Sequence, residues 1–381
     1  MGITVRDVLK LEIFKNSKVL AGHKGLDRVI NRVSVFDCPI QIDRDKIVLK
    51  EGDFFISNFF PFKDDEDYAL YSLNFINSCG CSCFCITNEY LDSFTEKLIS
   101  AWDDINLPIV TIDYTTSYGD IMNAIMSLIL ERQRDTIMEM KISALLENNL
   151  PLNEIHSTLN YINYYFLKYV TAIYCCSSDL DYKFDKNLID LLSKNRSNIC
   201  IPYKKGLLIL ITYNDTNKSE LSKTINFYIN QLKENVLNYI VGVSDNNIPI
   251  VECKNAVNQA LLSSRSYHLA TNSVVSYTSL GIYSVLITFK DFQEVKELYL
   301  SIIGPILNHD KDNRTSLLPT LISFVDSDGD FKKVSKELFQ HENTIRYRIF
   351  KIRSILNMEK SQIEFFEKVS IGVKLYKIYN M

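Results

Sequence analysis

The chain has 381 residues, of which 46% are apolar and 23% charged, and its net charge is −4. That length and composition predict two or three domains with sizeable cores. No run approaches the roughly 18 apolar residues of a transmembrane helix. The first segment, MGITVRDVLKLEIF, carries charges and no cleavage pattern, and Met1-Gly2 lacks the following Ser or Thr of a myristoylation signal. No membrane contact is expected, and the cytoplasm is the expected compartment.

Residues 1–118 alternate strand-like and helical runs. Thr4 reads as the cap of a helix that starts at Val5. Val33 to Phe36, Phe54 to Ser57, Phe84 to Thr87 and Ile109 to Ile112 read as short strands. Asp67 to Ser78 and Ser93 to Asp104 read as the helices between them. This alternation predicts α/β packing with parallel strands. Polar residues near the strand ends, Asp37, Ser57, Asn58, Thr87 and Asn88, are then candidate ligand contacts, because open α/β sheets bind at strand carboxyl ends. The acidic run Asp64-Asp65-Glu66-Asp67 reads as a helix N-terminus, where carboxylates complement the dipole.

Four of the nine cysteines, Cys79, Cys81, Cys83 and Cys85, have period-2 spacing. On a strand this places all four on one face. A metal or redox site is one reading, but a single extended strand does not converge four thiolates on one ion. Small hydrophobes in a buried strand are the other reading, and it is preferred. Cys175-Cys176 lies in a second apolar strand, and a reducing compartment makes disulfides unexpected. No metal and no cofactor is expected.

Residues 119–149 read as a long linker helix with Ile121, Ile125, Leu128, Met138, Ile142 and Leu145 near 3/4 spacing, interrupted by Arg132 and Asp135. It is either a coiled-coil dimer seam or a packed linker. Residues 150–305 form a second α/β block, with strands at Tyr169–Cys175, Gly206–Thr212 and Tyr239–Val243 and helices at Ser219–Leu232 and Ile250–Ser264. The chain lacks G-x-x-x-x-G-K-[ST], G-x-G-x-x-G, H-E-x-x-H and G-x-S-x-G, and its five histidines are scattered singly. No catalytic residue is expected.

Residues 306–381 are predicted all-helical. Within FKKVSKELFQHENTIRYRIFKIRSIL, Phe331, Val334 and Leu338 share one helical face, a break follows at Gln340-His341, and Asn343 can cap the next helix. Ile345, Ile349, Ile352 and Leu356 form that helix's apolar side. Asn343, Thr344, Tyr347 and Lys351 lie opposite, flanked by Arg346, Arg348 and Arg353. Seven Lys or Arg against two Glu make residues 331–353 a +5 patch on a −4 chain. The usual glycine of the turn is absent. The expected reading is a helix-turn-helix on double-stranded DNA. Arg346 and Arg348 would give bidentate base or phosphate contacts, and Lys332, Lys333 and Arg353 would meet the backbone.

Specific strings sharpen this. Leu318 to Leu321 (LPTL), Leu338, His341, Asn343, Thr344, Arg346, Tyr347, Arg348 and Lys351-Ile352 resemble the C-terminal helix-turn-helix of the PucR (purine catabolism regulator) family of bacterial transcription factors, with Val334-Ser335 where that family usually has Thr-Ala. Val19 to Gly22, Gly25-Leu26, LKEGDFFIS and Leu107 to Ile109 resemble its N-terminal sensing domain. VGVSDNNIPIVECKNAVNQALLSS resembles its central domain, related to the GGDEF nucleotidyl-cyclase fold, and Tyr277 to Leu286 the stretch after it. No G-G-D/E-E-F string is present, so the resemblance implies a degenerate, non-catalytic block. It also implies a small-molecule effector at the N-terminal block and a homodimer or higher homo-oligomer on DNA. The rival readings are a nucleotide-binding or cyclase-like enzyme and a sensor acting through protein partners.

Overall fold

Strand and helix alternate from residue 18 to residue 112, as the β-rich runs and their helical spacers predict. The chain is described from a computed structural model that covers residues 2–147, 150–179, 182–214, 218–269 and 272–380. It folds as two units, 1–140 and 141–381. In the first, strands β1 (Lys18–Ala21), β2 (Arg32–Val35), β3 (Asp53–Ser57), β4 (Cys83–Thr87) and β5 (Ile109–Ile112) form a sheet of order β1-β5-β4-β3-β2. β2 to β5 run parallel, and β1 closes one edge antiparallel. β3 and β4 are buried along their whole length because both faces of the sheet are covered. On one face, helices α1 (Glu66–Ser78) and α2 (Glu96–Asp104) pack Leu73, Ile76 and Trp102 against Phe55, Phe84 and Ile86. On the other, Val5, Val8 and Phe14 join Ile121, Ile125 and Ile129 of helix α3 (Tyr118–Glu147) over Phe54, Ile56 and Val110.

Local chemistry sets the ends of these elements. Thr4 caps the first short helix in a capping box with Asp7. Asp65 caps α1, so the acidic run sits at a helix N-terminus. Gly22 has φ +71°, and a Cβ there would lie 2.0 Å from the Leu107 carbonyl oxygen, so only glycine fits. Asp53, fully buried at the start of β3, accepts two hydrogen bonds from the Arg32 guanidinium, both 2.7 Å, and one from the Lys50 N–H.

One expectation is corrected here. The four-cysteine run is not one strand face: Cys79 ends α1 and Cys81 lies in the connection. Only Cys83 and Cys85 lie on β4. They pack on the α3 side, while Cys81 packs on the α1 side. The tight turn at Gly80 (φ +83°) postpones the extended backbone to residue 83. The linker helix starts at Tyr118, and residues 148 and 149 lie outside the described residues. Ile121 and Ile125 are buried in their own unit's core, so that part of the seam is a packed helix and not a free dimer surface. Met126, Leu130, Ile137 and Met140 of the same helix are exposed instead.

In the second unit, β6 (Tyr169–Ser177) is the centre of a mostly antiparallel sheet. β7 (Ile199–Tyr203), β8 (Gly206–Tyr213), β9 (Tyr239–Val243) and β10 (Val274–Ser276) give the order β10-β9-β6-β8-β7. Helices α4 (Lys218–Asn235) and α5 (Cys253–Arg265) support it. Gly242 lies against α5, where a Cβ would meet the Ala260 carbonyl at 2.1 Å. After helical stretches at Tyr277–Leu280 and Ile282–Phe289 come α6 (Gln293–Asn313), α7 (Leu317–Asp326), α8 (Phe331–Glu337), α9 (Glu342–Ile355) and α10 (Gln362–Tyr379). Ile302 and Ile306 of α6 belong to the same core as Leu321, Ile349 and Val373, so the helical body begins at α6. The Asp310 carboxylate accepts from the Leu317 and Leu318 N–H groups, the free donors at the start of α7. Burial alone would raise its pKa. The Leu318 N–H, the Thr315 hydroxyl and the Leu317 N–H outweigh that and hold it below the usual carboxylate range.

Candidate functional site

Helices α8 and α9 form two sides of a helix-turn-helix. Val334 of α8 and Ile345, Ile349 and Ile352 of α9 are buried in one core with Leu321 and Phe324. Asp330 caps α8 by accepting from the Lys332 and Lys333 N–H groups. The turn passes through Phe339, whose φ of +51° puts it in the left-handed region usually held by glycine. The expected Asn343 cap is corrected: His341 occupies the N-cap position, and its Nδ1 accepts from the Asn343 N–H at 3.2 Å. Helical geometry already begins at Glu342, so Asn343 lies inside the first turn with its side chain exposed.

The solvent face of α9 differs in part from the helical-wheel reading. Asn343, Tyr347 and Lys351 share the exposed side, with Tyr347 68% exposed at its centre and Thr344 half-buried at its edge. Lys332 and Lys333 are exposed on the neighbouring helix α8. The arginines are already engaged. Arg346 donates to Glu342 Oε1 at 2.5 and 3.2 Å, and its guanidinium lies 4.3 Å from the Phe331 ring centre. Arg353 is half-buried over Phe365, 4.7 Å from the ring centre. Arg348 points back into the fold, and its Nη1 donates to Thr320 Oγ1 at 3.0 Å. This bond joins the LPTL string of α7 to the Tyr-Arg pair of α9. Arg348→Ala should therefore lower the stability of the helical body by about 1 kcal/mol, measured as a fall in the unfolding midpoint of the full chain.

One exposed residue escaped the sequence reading. Phe350 is 62% exposed on the flank of the same face. It lies outside the Ile345/Ile349/Ile352 stripe, and an aromatic residue off the core stripe of an otherwise polar face is the signal that marks it.

At the other candidate site, the carboxyl ends of β2 to β4 bring the five named residues to one edge of the first sheet. Asp37 Oδ1 accepts from the Asn58 N–H at 3.0 Å, and Asn88 Oδ1 from the Tyr114 N–H at 2.8 Å, so side chains tie neighbouring strand ends together. Ser57 Oγ and Asn58 Oδ1 accept from the Phe59 and Phe60 N–H groups and shape the turn after β3. The Thr87 hydroxyl is buried. Tyr118, absent from the sequence reading, lies beside Asp37 and Thr87, and burial together with the Asp37 carboxylate pushes its phenol up. Phe60, Tyr90 and Lys63 stand nearby, with the Lys63 ammonium 5.2 and 5.7 Å from the two ring centres. The edge therefore offers a carboxylate, two hydroxyls and aromatic surface.

The cysteines are free thiols, and burial pushes Cys81, Cys83 and Cys85 up, away from the reactive thiolate. Among the described residues, no three His, Cys, Asp or Glu side chains are grouped to hold a metal ion, and no helix is long and apolar enough to cross a membrane.

Two stretches of the chain match known families. Residues 7–129 match the Purine catabolism regulatory protein-like family, PucR, and residues 317–375 match the PucR C-terminal helix-turn-helix domain. The chain is similar to the Purine catabolism regulatory protein of Bacillus subtilis, 25% identical over 138 residues, which are 36% of this chain and 25% of that protein. It is also similar to the DNA-binding transcriptional activator AdeR of the same organism, 25% identical over 105 residues, 28% of this chain and 25% of that protein. The matched region thus spans about a quarter of the length of these relatives. A crystal structure of a regulator of polyketide synthase expression from Bifidobacterium adolescentis aligns with 62% of this chain and 92% of that one, at 14% identity and a TM-score of 0.32, too low to bear on the fold.

Proposed function

We propose that this chain, which carries both terminal domains of the PucR family of transcription regulators, is a cytoplasmic, sequence-specific DNA-binding regulator whose affinity for its operator responds to a small metabolite. The observation that carries this reading is the α9 face: Tyr347, Lys351 and Asn343 exposed together, beside Lys332 and Lys333 of α8, with the opposite side locked in the core. Lys351, Lys332 and Lys333 neutralise phosphates and set the register on the duplex. Asn343, Thr344 and Tyr347 reach base edges in the major groove. Arg346, held by Glu342, and Arg353, stacked on Phe365, border this face and make their phosphate contacts from its flank. Arg348 positions α9 through Thr320.

The effector would sit at the carboxyl edge of the first sheet, on Asp37, Ser57, Asn58, Thr87, Asn88 and Tyr118. The cluster of the Asp37 carboxylate, the Thr87 hydroxyl and the Tyr118 phenol at one sheet edge supports this, because such groups fix the orientation of a small ligand. Two copies would associate along α3, where Met126, Leu130, Ile137 and Met140 leave an exposed stripe at spacings close to a heptad seam. A dimer supplies the two half-sites that helix-turn-helix proteins use for affinity. On this reading the division is residues 1–118 for sensing, 119–149 for linkage and association, 150–305 as a degenerate middle block and 306–381 for DNA. No step in it calls for catalysis.

The test uses the full chain, its own promoter region and scrambled DNA of equal length at two salt concentrations. Tighter binding to the promoter that falls steeply with salt is expected, because phosphate contacts release counterions. Equal affinity for both DNAs, or no binding at either salt with and without cell metabolite extract, would overturn the reading.

A further inference from the structure

The helix Ile282–Phe289 of the second unit turns its apolar side outward. Its sequence, Ile-Tyr-Ser-Val-Leu-Ile-Thr-Phe, has six apolar residues, yet the one buried residue is Ser284, whose hydroxyl donates to the Gly281 carbonyl at 2.7 Å. Ile282, Val285 and Phe289 are exposed, and so is Phe292 just beyond, with the Phe289 and Phe292 ring centres 5.4 Å apart. Spacings of three, four and three residues are those of a seam that one helix offers to another. A helix packed only within its own chain turns such a stripe toward the core. The other side of the segment is anchored: Tyr283 lies beside Asp326 of α7, and the Tyr379 hydroxyl of α10 donates to the Lys290 carbonyl at 2.5 Å.

The surroundings of the stripe point to what covers it. Residues 266–289 contain no Asp, Glu, Lys or Arg, in a chain that is 23% charged. Such a surface gives a phosphate backbone or a charged peptide nothing to pair with. Depletion of charge together with aromatic side chains marks the core of a protein–protein interface. Ile282, Val285, Phe289 and Phe292 are 45–57% exposed, so at roughly 200 Å² for a whole side chain they present on the order of 400 Å². A standard interface covers about 800 Å² per partner, somewhat over half of it apolar, which the stripe supplies. We propose that a second copy of this chain docks here, stripe against stripe about a twofold axis, because an uncharged apolar seam complements its own image. The contact is separate from the α3 stripe of the first unit. It would hold two helical bodies at a fixed spacing, a consequence that rests on the DNA-binding reading above, whereas the self-association does not.

Sedimentation velocity of the full chain over a dilution series tests this without DNA. Val285→Glu/Phe289→Glu should weaken self-association roughly tenfold or more, because two large apolar side chains leave the contact. The same change is expected in a Leu130→Glu/Ile137→Glu background, which removes any association along α3. The unfolding midpoint of the dilute chain should stay where it is, since both side chains are exposed. The contact itself is read by cross-linking with a short bismaleimide. In a chain carrying Cys38→Ser, which removes the exposed native thiol, Val285→Cys should give a covalent dimer, and adding Phe289→Glu should suppress it. A chain that stays monomeric in the Leu130→Glu/Ile137→Glu background, association unchanged by Val285→Glu/Phe289→Glu, or no covalent dimer above that of Cys38→Ser alone would overturn the proposal. So would a lower unfolding midpoint in Val285→Glu/Phe289→Glu with unchanged sedimentation, which would mean that the chain covers this stripe itself. None of these outcomes touches the promoter-binding test.

Discussion

Tyr347→Ala combined with Lys351→Ala is expected to reduce affinity for the operator roughly 100-fold. A good base-edge contact is worth roughly 1–3 kcal/mol of discrimination, and a lost phosphate contact weakens binding on every sequence. Both side chains are exposed on α9, outside the core built on Ile345, Ile349 and Ile352, so the unfolding midpoint should stay where it is. The single variants should separate. Lys351→Ala should lower affinity for promoter and scrambled DNA alike and reduce the salt slope by about one. Tyr347→Ala should leave the slope alone and narrow the ratio between the two DNAs. Fluorescence anisotropy at a series of salt concentrations reads both quantities. An unchanged ratio in Tyr347→Ala would remove that residue from base recognition.

Arg32→Met should destabilise the first unit by about 3 kcal/mol. Removing one partner of a buried ion pair costs roughly 3–5 kcal/mol because the other charge is stranded. The lower end applies, since water already reaches the half-exposed Arg32 side chain while Asp53 is fully buried. The Lys50 N–H remains as the partner of Asp53. Urea unfolding of the full chain should show the loss in the transition of the first unit. Adding Asp53→Asn should recover part of it, because the stranded charge is gone. Equal stabilities for the wild type and Arg32→Met would mean that water solvates Asp53 in the folded chain.

How far the sequence was legible follows from where the information lies. The parallel strands of the first unit were readable because β-branched and aromatic residues cluster between helical runs, and Asp53–Ser57, Cys83–Thr87 and Ile109–Ile112 fall where those clusters are. Strand Ile199–Tyr203 was not, since it is short, contains Pro202 and ends in a Lys-Lys turn. Cysteine spacing misled because it cannot reveal where extended backbone begins, and Gly80 turns the chain between the second pair of cysteines and the helix. On α9 the buried and exposed sides were legible from 3/4 spacing, but the fate of each arginine was not. Arg348 meets Thr320, 28 residues earlier in the chain, and Arg346 is held by a glutamate that a wheel diagram counts only as charge. The cap was misplaced for a similar reason: an imidazole and an amide can both accept the first free N–H, and only backbone angles decide which stands at the boundary. The Thr87–Tyr118 pairing depends on how α3 meets the end of β4, which no local pattern encodes.

The turn at Phe339 carries one more consequence. The residue is 92% exposed and holds a left-handed backbone angle without being glycine. A search pattern that demands glycine at this point would pass over the motif, although the two helices and their shared core are all present. The left-handed angle is what joins helices at this crossing, and a phenylalanine adopts it at a modest energetic penalty. Divergent members of such families are therefore better recognised by the angle their turn must take than by the letter that most often takes it.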